Sequence, residues 1–390
     1  MSVSLYFHIP FCKVKCIYCD FYSVVNRDEQ IPLFVETLMR EFRANPPSPE
    51  IYGEVETVYF GGGTPSMLSG SQLASILEAI ENVIPIRSDA EITLEANPGE
   101  VDLTRLTAYR SAGVNRVSFG LQSFDDNQLK WLGRLHRSNQ NPEAVEMARK
   151  AGFDNVSVDL IFHLPGQSLN KFTSDLDNMI ALNPEHISVY SLTVEQGTPL
   201  FQYVRDGRIK MTPDDLDAEM YRHLCRKMSS EKFNHYEVSN FSQPKFESKH
   251  NSNYWNGKHY YSYGPSAHSF SGNDRWWNVR DLSKYFNRMQ NDYSPIAGRE
   301  FLDLHKQQEE YLLTRLRTRE GVRIGEWEQY FSSEFPDALR NYFRDMEIDH
   351  PDWIIKTDDG WHLTEEGWLF NDTIIYNAAE NLTTVQEQIR

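Results

Sequence analysis

Cysteine is scarce in this chain, with four residues in 390. Three of the four crowd between Cys12 and Cys19, so they do not form the spread framework of a disulfide-stabilised secreted domain, and a reducing compartment fits them best. Basic residues are also short, 39 Lys and Arg against 56 Asp and Glu, for a formal net charge of −17. A general nucleic-acid binder needs clustered Lys and Arg to neutralise phosphates, so that class is excluded, although a local basic pocket is not. No run of apolar residues is long enough for a transmembrane helix. Met1–Ile9 has no basic n-region and too short an apolar run for a signal sequence, so the expectation is a cytoplasmic protein.

What the chain does contain is 40% hydrophobic and 13% aromatic residues, which excludes wholesale disorder. Its length suits one large domain and a smaller one. The stretch Cys12-x3-Cys16-x2-Cys19 lets one short loop point three sulfurs inward. Thiolates are soft ligands that suit iron–sulfur clusters or zinc. A [4Fe–4S] cluster normally takes four cysteines, so three would leave one iron open. The spacing alone also allows a zinc site, with His8 or a distant residue as fourth ligand, or three ordinary free thiols.

Along the chain, apolar runs and helical periodicity alternate. Strands are expected over Ser4–Ile9, Val55–Phe60, Glu91–Glu95, Arg116–Gly120, Val156–Phe162 and Ile187–Leu192. Helices are expected over Glu29–Phe42, Ser71–Val83, Leu103–Ala112, Glu143–Ala151 and Lys171–Ala181, with Asp102 as an N-cap and Gly113 at a C-terminus. Such alternation implies βαβ units and a parallel sheet, in an α/β fold that is either a partial TIM-type (β/α)6 barrel or doubly wound. Unusual polar residues at strand C-terminal ends favour the barrel. A helix over Asp214–Ser230 carries Cys225, read as a small buried apolar residue. Tyr236–Phe241 reads as a further strand, and His250–Asn278 turns rich in Tyr, Trp, His and Gly. The expected division is a barrel domain over 1–280, with an aromatic-rich extension from about 235, and a small helical or winged-helix-like domain over 281–390. Within the latter, helices over Gln307–Arg319, Gly325–Tyr330, Asp337–Met346 and Glu365–Ala378 flank a hairpin, and Glu380–Arg390 is expected to be loosely ordered.

The turn Gly61-Gly62-Gly63-Thr64 follows a strand and lets backbone approach a ligand closely, or simply makes a tight turn. It lacks the endings of a phosphate-binding P-loop or a dinucleotide fingerprint. Glu95 ends an apolar strand and Asp159 lies inside one; each needs a partner, because an isolated buried charge is costly. Gln122 and Arg134 complete a polar pocket able to hold a zwitterion and a ribose. A structural pair, such as Asp159 with Arg134, is the plainer alternative.

Four motifs in order carry a resemblance. Tyr6-Phe7-His8-Ile9-Pro10-Phe11-Cys12 continues through Cys16 and Tyr18 to Cys19-Asp20-Phe21. Gly61–Ser66, Ser118-Phe119-Gly120-Leu121-Gln122-Ser123-Phe124 and Asp159-Leu160-Ile161 with Leu164-Pro165-Gly166-Gln167 follow. Together they resemble the radical S-adenosylmethionine superfamily, and within it the coproporphyrinogen-dehydrogenase branch, whose C-terminal domain Leu363-Thr364-x-x-Gly367 also resembles. The resemblance implies that Cys12, Cys16 and Cys19 hold a [4Fe–4S] cluster whose open iron chelates S-adenosylmethionine. It also implies that Tyr6, Tyr18, Gly62, Gly63, Thr64, Glu95, Gln122, Arg134 and Asp159 surround that cofactor.

Two departures separate the chain from the dehydrogenases. Only residues 1–11 precede the cluster motif, and Phe21 stands where those enzymes carry a further cysteine. In addition, His250-Asn251-Ser252-Asn253-Tyr254-Trp255 matches the H-N-x-x-Y-W motif of HemW-type haem chaperones. That resemblance implies haem binding by His250, Tyr254 and Trp255, with His259 and His268 as rival ligands. It further implies delivery to apo-haemoproteins such as respiratory cytochromes, dimerisation, and membrane contact through those partners. The competing readings are an oxygen-independent coproporphyrinogen III dehydrogenase and a zinc-stapled barrel without redox chemistry.

Overall fold

Strands buried on both faces of a parallel sheet usually read as continuous apolar runs, but here polar and apolar residues alternate. In β1 (Ser2–Ile9), Leu5, Phe7 and Ile9 are fully buried, and Ser4, Tyr6 and His8 point the other way. The same alternation runs through β4 (Glu54–Gly62), β5 (Ile86–Ala96), β6 (Arg116–Gln122), β7 (Val156–Phe162) and β8 (His186–Ser191). Because side chains alternate with period two, the apolar set packs outward and the polar set lines a concave interior. The short β2 (Phe11–Cys12) and β3 (Val24–Val25) pair with each other beside β1.

The computed structural model describes residues 1–387, and side chains through residue 382. Parallel neighbours run β1-β4-β5-β6-β7-β8, as a (β/α)6 unit requires. The outer layer is made by α1 (Ile31–Ala44), α2 (Gly70–Glu81), α3 (Leu103–Ala112), α5 (Gln140–Lys150), α6 (Leu169–Ala181) and α8 (Asp214–Ser230), while α4 (Asp126–Leu132) and α7 (Pro199–Arg205) pack beside the cysteine loop through Leu132 and Leu200. Asp102 caps α3 by accepting from the Arg105 amide, and Gly113 ends it in the left-handed region. Cys225 is buried in α8.

The barrel is open. Past β8 the sheet continues antiparallel through β10 (Asn240–Ser242) to β9 (Asn234–Glu237), two short strands where the sequence suggests one. On the other edge β11 (Tyr260–Tyr263) joins β1 in parallel, and β12 (His268–Ser271), β13 (Asp274–Asn278) and β14 (Ile296–Phe301) follow as a meander, giving twelve strands. The aromatic stretch after residue 250 is therefore sheet, preceded by a short helix α9 (Lys249–Trp255), and the sheet runs on to Phe301. After α10 (Leu282–Gln290) come α11 (Leu304–Arg315), α12 (Ile324–Phe331) and α13 (Asp337–Asp349). These surround a small sheet in which β17 (Gly360–Leu363) lies between β15 (Val322–Arg323) and β16 (Ile354–Thr357), the winged-helix-like arrangement expected. Trp327, Trp361 and Trp368 fill its core.

The expected final helix is two, α14 (Glu365–Trp368) and α15 (Asn371–Glu387). Most of the tail read as loosely ordered is therefore helical, and residues 388–390 lie outside the described residues. Among the described residues no helix is long and apolar enough to cross a membrane.

Candidate functional site

The cysteine loop leaves the C-terminal end of β1 and is pinned at both ends. The β2–β3 pair sets Cys12 opposite Val25, and the Val24 amide donates to Pro10 O at 2.7 Å. Arg280 clasps the loop from outside through Asp20 O and Oδ1, and Tyr22 OH accepts from the Leu282 amide. Tyr18 turns inward and packs with Leu132, Ile161, Leu164, Leu192 and Leu200. Cys12, Cys16 and Cys19 then line one cavity with Gly62, Gly63, Thr64, Asn97 and Arg134. Thr64 Oγ1 lies 3.5 Å from Cys12 Sγ, and Arg134 Nη1 lies 3.8 Å from Cys16 Sγ.

The three thiols fit a cluster. Among the described residues no three His, Cys, Asp or Glu side chains converge on one metal-ion position. Sulfurs spread around a cavity suit a cluster, which takes its thiolates from different irons, better than a single tetrahedral zinc ion. His8 is not available as a fourth zinc ligand, because its Nδ1 meets Tyr6 OH at 3.1 Å and its Nε2 meets Tyr22 O at 2.8 Å. Burial raises the thiol of Cys12, and that of Cys19 to about 11, so metal binding must displace their protons.

The expected cofactor residues gather beside this cavity. Glu95 Oε1 accepts from Tyr59 OH at 2.8 Å, and its Oε2 accepts from the Gly62 amide at 3.1 Å. Burial pushes its carboxyl up to about 7. Asp159 accepts from Ser118 Oγ at 3.3 Å, and burial pushes it up to about 6. Arg134 donates to Asn97 Oδ1 at 2.5 Å and Gly120 O at 2.8 Å, so it is not the direct partner of Asp159 that the plainer sequence reading allowed.

Gln122 ends β6 at a φ of 67°, and its buried Oε1 has no hydrogen-bond partner. An orphaned acceptor at the end of a polar cradle fits a ligand that brings its own donor. Glycine is required at two points. Gly62 has a φ of 111° and its absent Cβ would fall 2.5 Å from the His8 ring; at Gly120 a Cβ would fall 2.8 Å from Gln122 Nε2 and 3.2 Å from Arg134 Nη2.

The haem residues separate. His250 is 1% exposed, and both ring nitrogens are taken, Nδ1 by Thr57 Oγ1 at 2.7 Å and Nε2 by Tyr254 OH at 2.8 Å. As a haem ligand, the role expected for it, His250 would have to release one of these two hydrogen bonds and be opened to solvent. Burial lowers it to about 3, and it stacks on Tyr59 at 4.9 Å as part of the barrel's polar lining. Tyr254, which reaches His250 through its hydroxyl, also lines a second cavity with Trp255, Tyr260, Phe270, Arg275, Tyr311 and Arg315, between the meander and the C-terminal helices. His259 is half-buried, with Nδ1 on Tyr52 OH at 2.7 Å. His268 is exposed.

Sequence reasoning missed Tyr59, Asn97, Glu100 and Arg116. Asn97 joins Arg134 to Glu100 and Thr64 at the cavity floor. Arg116 is 2% exposed, its Nε has no partner, and its charge bears on Glu95, Asp159 and His250. For Tyr59 and Arg116 the signal was there as period-two polar positions inside strands; Asn97 and Glu100 lie in the turn after β5.

Residues 6–179 match the Radical SAM superfamily, and residues 302–370 match the HemN C-terminal domain. The heme chaperone HemW of Lactococcus lactis is 37% identical over 95% of this chain and 96% of its own length. That of Bacillus subtilis is 32% identical over 95% and 97%, and that of Escherichia coli 34% over 96% and 97%. Among solved structures, the E. coli coproporphyrinogen III oxidase HemN, a radical SAM enzyme, superposes with a TM-score of 0.82 at 21% identity, covering 97% of this chain and 90% of that one. At that identity the likeness is one of fold. The relatives match almost end to end, and the chain belongs to the HemW haem-chaperone family of the radical SAM superfamily.

Proposed function

We propose that this protein binds a [4Fe–4S] cluster, S-adenosylmethionine and haem, and passes haem to apo-haemoproteins such as respiratory cytochromes. The observation that carries the reading is the cavity where three thiols meet Gly62, Gly63, Thr64 and Arg134, next to the orphaned Gln122 Oε1. When bound, the cluster supplies one-electron chemistry and an open coordination site for S-adenosylmethionine. Around it, Gly62 and Gly63 allow close backbone approach. Glu95 offers a carboxylate to an ammonium group, Asp159 lies further down the interior, and Arg134 holds positive charge beside Cys16. Tyr18 and its apolar neighbours shield one side from water.

Release of haem to an acceptor, rather than decarboxylation of a porphyrinogen, is the activity we assign. Phe21, at the position where dehydrogenases carry another cysteine, is 65% exposed and offers no ligand. We also place the domain division near residue 302, supported by the pairing of β14 with β13 and by the C-terminal match. Anaerobic reconstitution should give a brown protein with about four irons per chain. It should bind haem and transfer it to an apo-cytochrome, and it should leave coproporphyrinogen unchanged when given S-adenosylmethionine and reductant. Conversion of coproporphyrinogen would replace the chaperone reading with the enzyme one.

A further inference from the structure

We propose that haem is held on the concave face of the meander, with His268 as the iron ligand, between the cluster loop and the cavity lined by Phe270 and Arg275. The proposal rests on the haem reading above and deepens it by locating the site. Three histidines compete, and the fold separates them. His250 is sealed and doubly hydrogen-bonded, and His259 is half-buried with Nδ1 committed to Tyr52. His268 is exposed, and its ring stacks on Trp277. Neutral imidazole is the ligand form, and partial desolvation by its neighbours together with the Arg275 and Arg280 charges disfavours protonation there.

Register places this histidine on the ligand side of the sheet. β1 Ser4 pairs with β11 Tyr260, and Tyr260 with β12 Phe270, so Phe270 and His268 share the face that lines the barrel interior. On the next strand His268 stands opposite Trp277, and Phe270 opposite Arg275. The imidazole and indole planes lie within 19° of each other, centroids 5.9 Å apart. Trp277 is pressed on β14 at Gly298, where a Cβ would fall 2.3 Å from the indole. A macrocycle coordinated by His268 stands roughly perpendicular to the imidazole, so the indole meets it edge to face, a favoured aromatic geometry.

Phe270 lies two residues, about 7 Å, further along the strand. The same macrocycle therefore reaches the rim of the aromatic cavity. Arg275, tied to Glu310, and Arg280, tied to Asp20, both bear on His268 electrostatically, and each guanidinium has donors left for a propionate. Arg280 also clasps the cysteine loop, which brings haem and cluster sites side by side.

The test is anaerobic haem titration of the cluster-loaded full chain, followed by its Soret band and spin state. His268→Ala should weaken binding at least tenfold and remove the imidazole-ligated spectrum, which added imidazole should restore in His268→Gly. Trp277→Ala should weaken binding several-fold without changing the ligand type, and His259→Ala should match wild type. Iron content and melting temperature report folding, and an exposed position should leave both unchanged. A wild-type spectrum in His268→Ala, or loss of ligation in His259→Ala with His268→Ala intact, overturns the proposal. Absence of any spectral change in the wild type would instead overturn the haem reading itself.

Discussion

Glu95 offers the sharpest test of how the polar interior is balanced. Its carboxylate is partly buried, held by Tyr59 OH and the Gly62 amide, and desolvation pushes it up to about 7. A raised carboxyl means that the native state binds a proton that the unfolded chain has already released. Stability of the apo-protein therefore falls as pH rises from about 4.5 to about 7 and is level above that range. At about 1.4 kcal/mol per unit, the span is worth roughly 3 kcal/mol. Glu95→Gln removes this dependence and leaves one acceptor oxygen, which stays with the Gly62 amide, so Tyr59 OH must accept from Nε2 instead of donating and its former hydrogen bond is lost, at a cost of about 1 kcal/mol. The variant should therefore be less stable than wild type near pH 5 and equal to it or more stable near pH 8. Denaturant unfolding of apo-protein at both values measures the two differences. A difference that stays within about 1 kcal/mol across that range would refute the reasoning, because Glu95 would then already be ionised at low pH. In the cluster-loaded protein the same variant should bind S-adenosylmethionine more weakly.

Serine at Cys12, Cys16 or Cys19 should abolish the brown colour and the bound iron, while Cys225→Ser, in α8, should retain both; iron analysis after reconstitution decides. Gly62→Ala forces a φ of 111° on a residue with a side chain and drives its Cβ into the His8 ring. Thermal melts should show a loss that includes roughly 1–3 kcal/mol of backbone strain, together with reduced cluster loading, since His8 anchors the Tyr22 carbonyl. His250→Ala leaves Thr57 and Tyr254 unpaired in the interior and should cost roughly 2–4 kcal/mol. The haem ligand signature, read by electron paramagnetic resonance, should nevertheless persist.

The alternation of strands and helices, the cysteine loop and the glycine turn were legible because each depends on local chemistry. Spacing brings Cys12, Cys16 and Cys19 onto one loop, periodicity marks the outward faces of β1 to β8, and Asp102 and Gly113 punctuate α3 by their own conformational preferences. The meander was not legible. Its strands are short, and β11 joins the sheet beside β1, more than 250 residues away in the chain, a pairing that no local signal specifies. Residue type and motif likewise marked His250 as a ligand, yet what a histidine can bind depends on which of its nitrogens are already engaged. That was decided by tertiary contacts: α9 packs His250 against Thr57 of β4 and seals it, while the meander leaves His268 solvent-exposed beside Trp277. The sequence by itself determined the grouping of three thiols on one loop and the barrel's polar lining, since these follow from residue spacing and a period of two. Only the packing of distant segments decided which imidazole remains open.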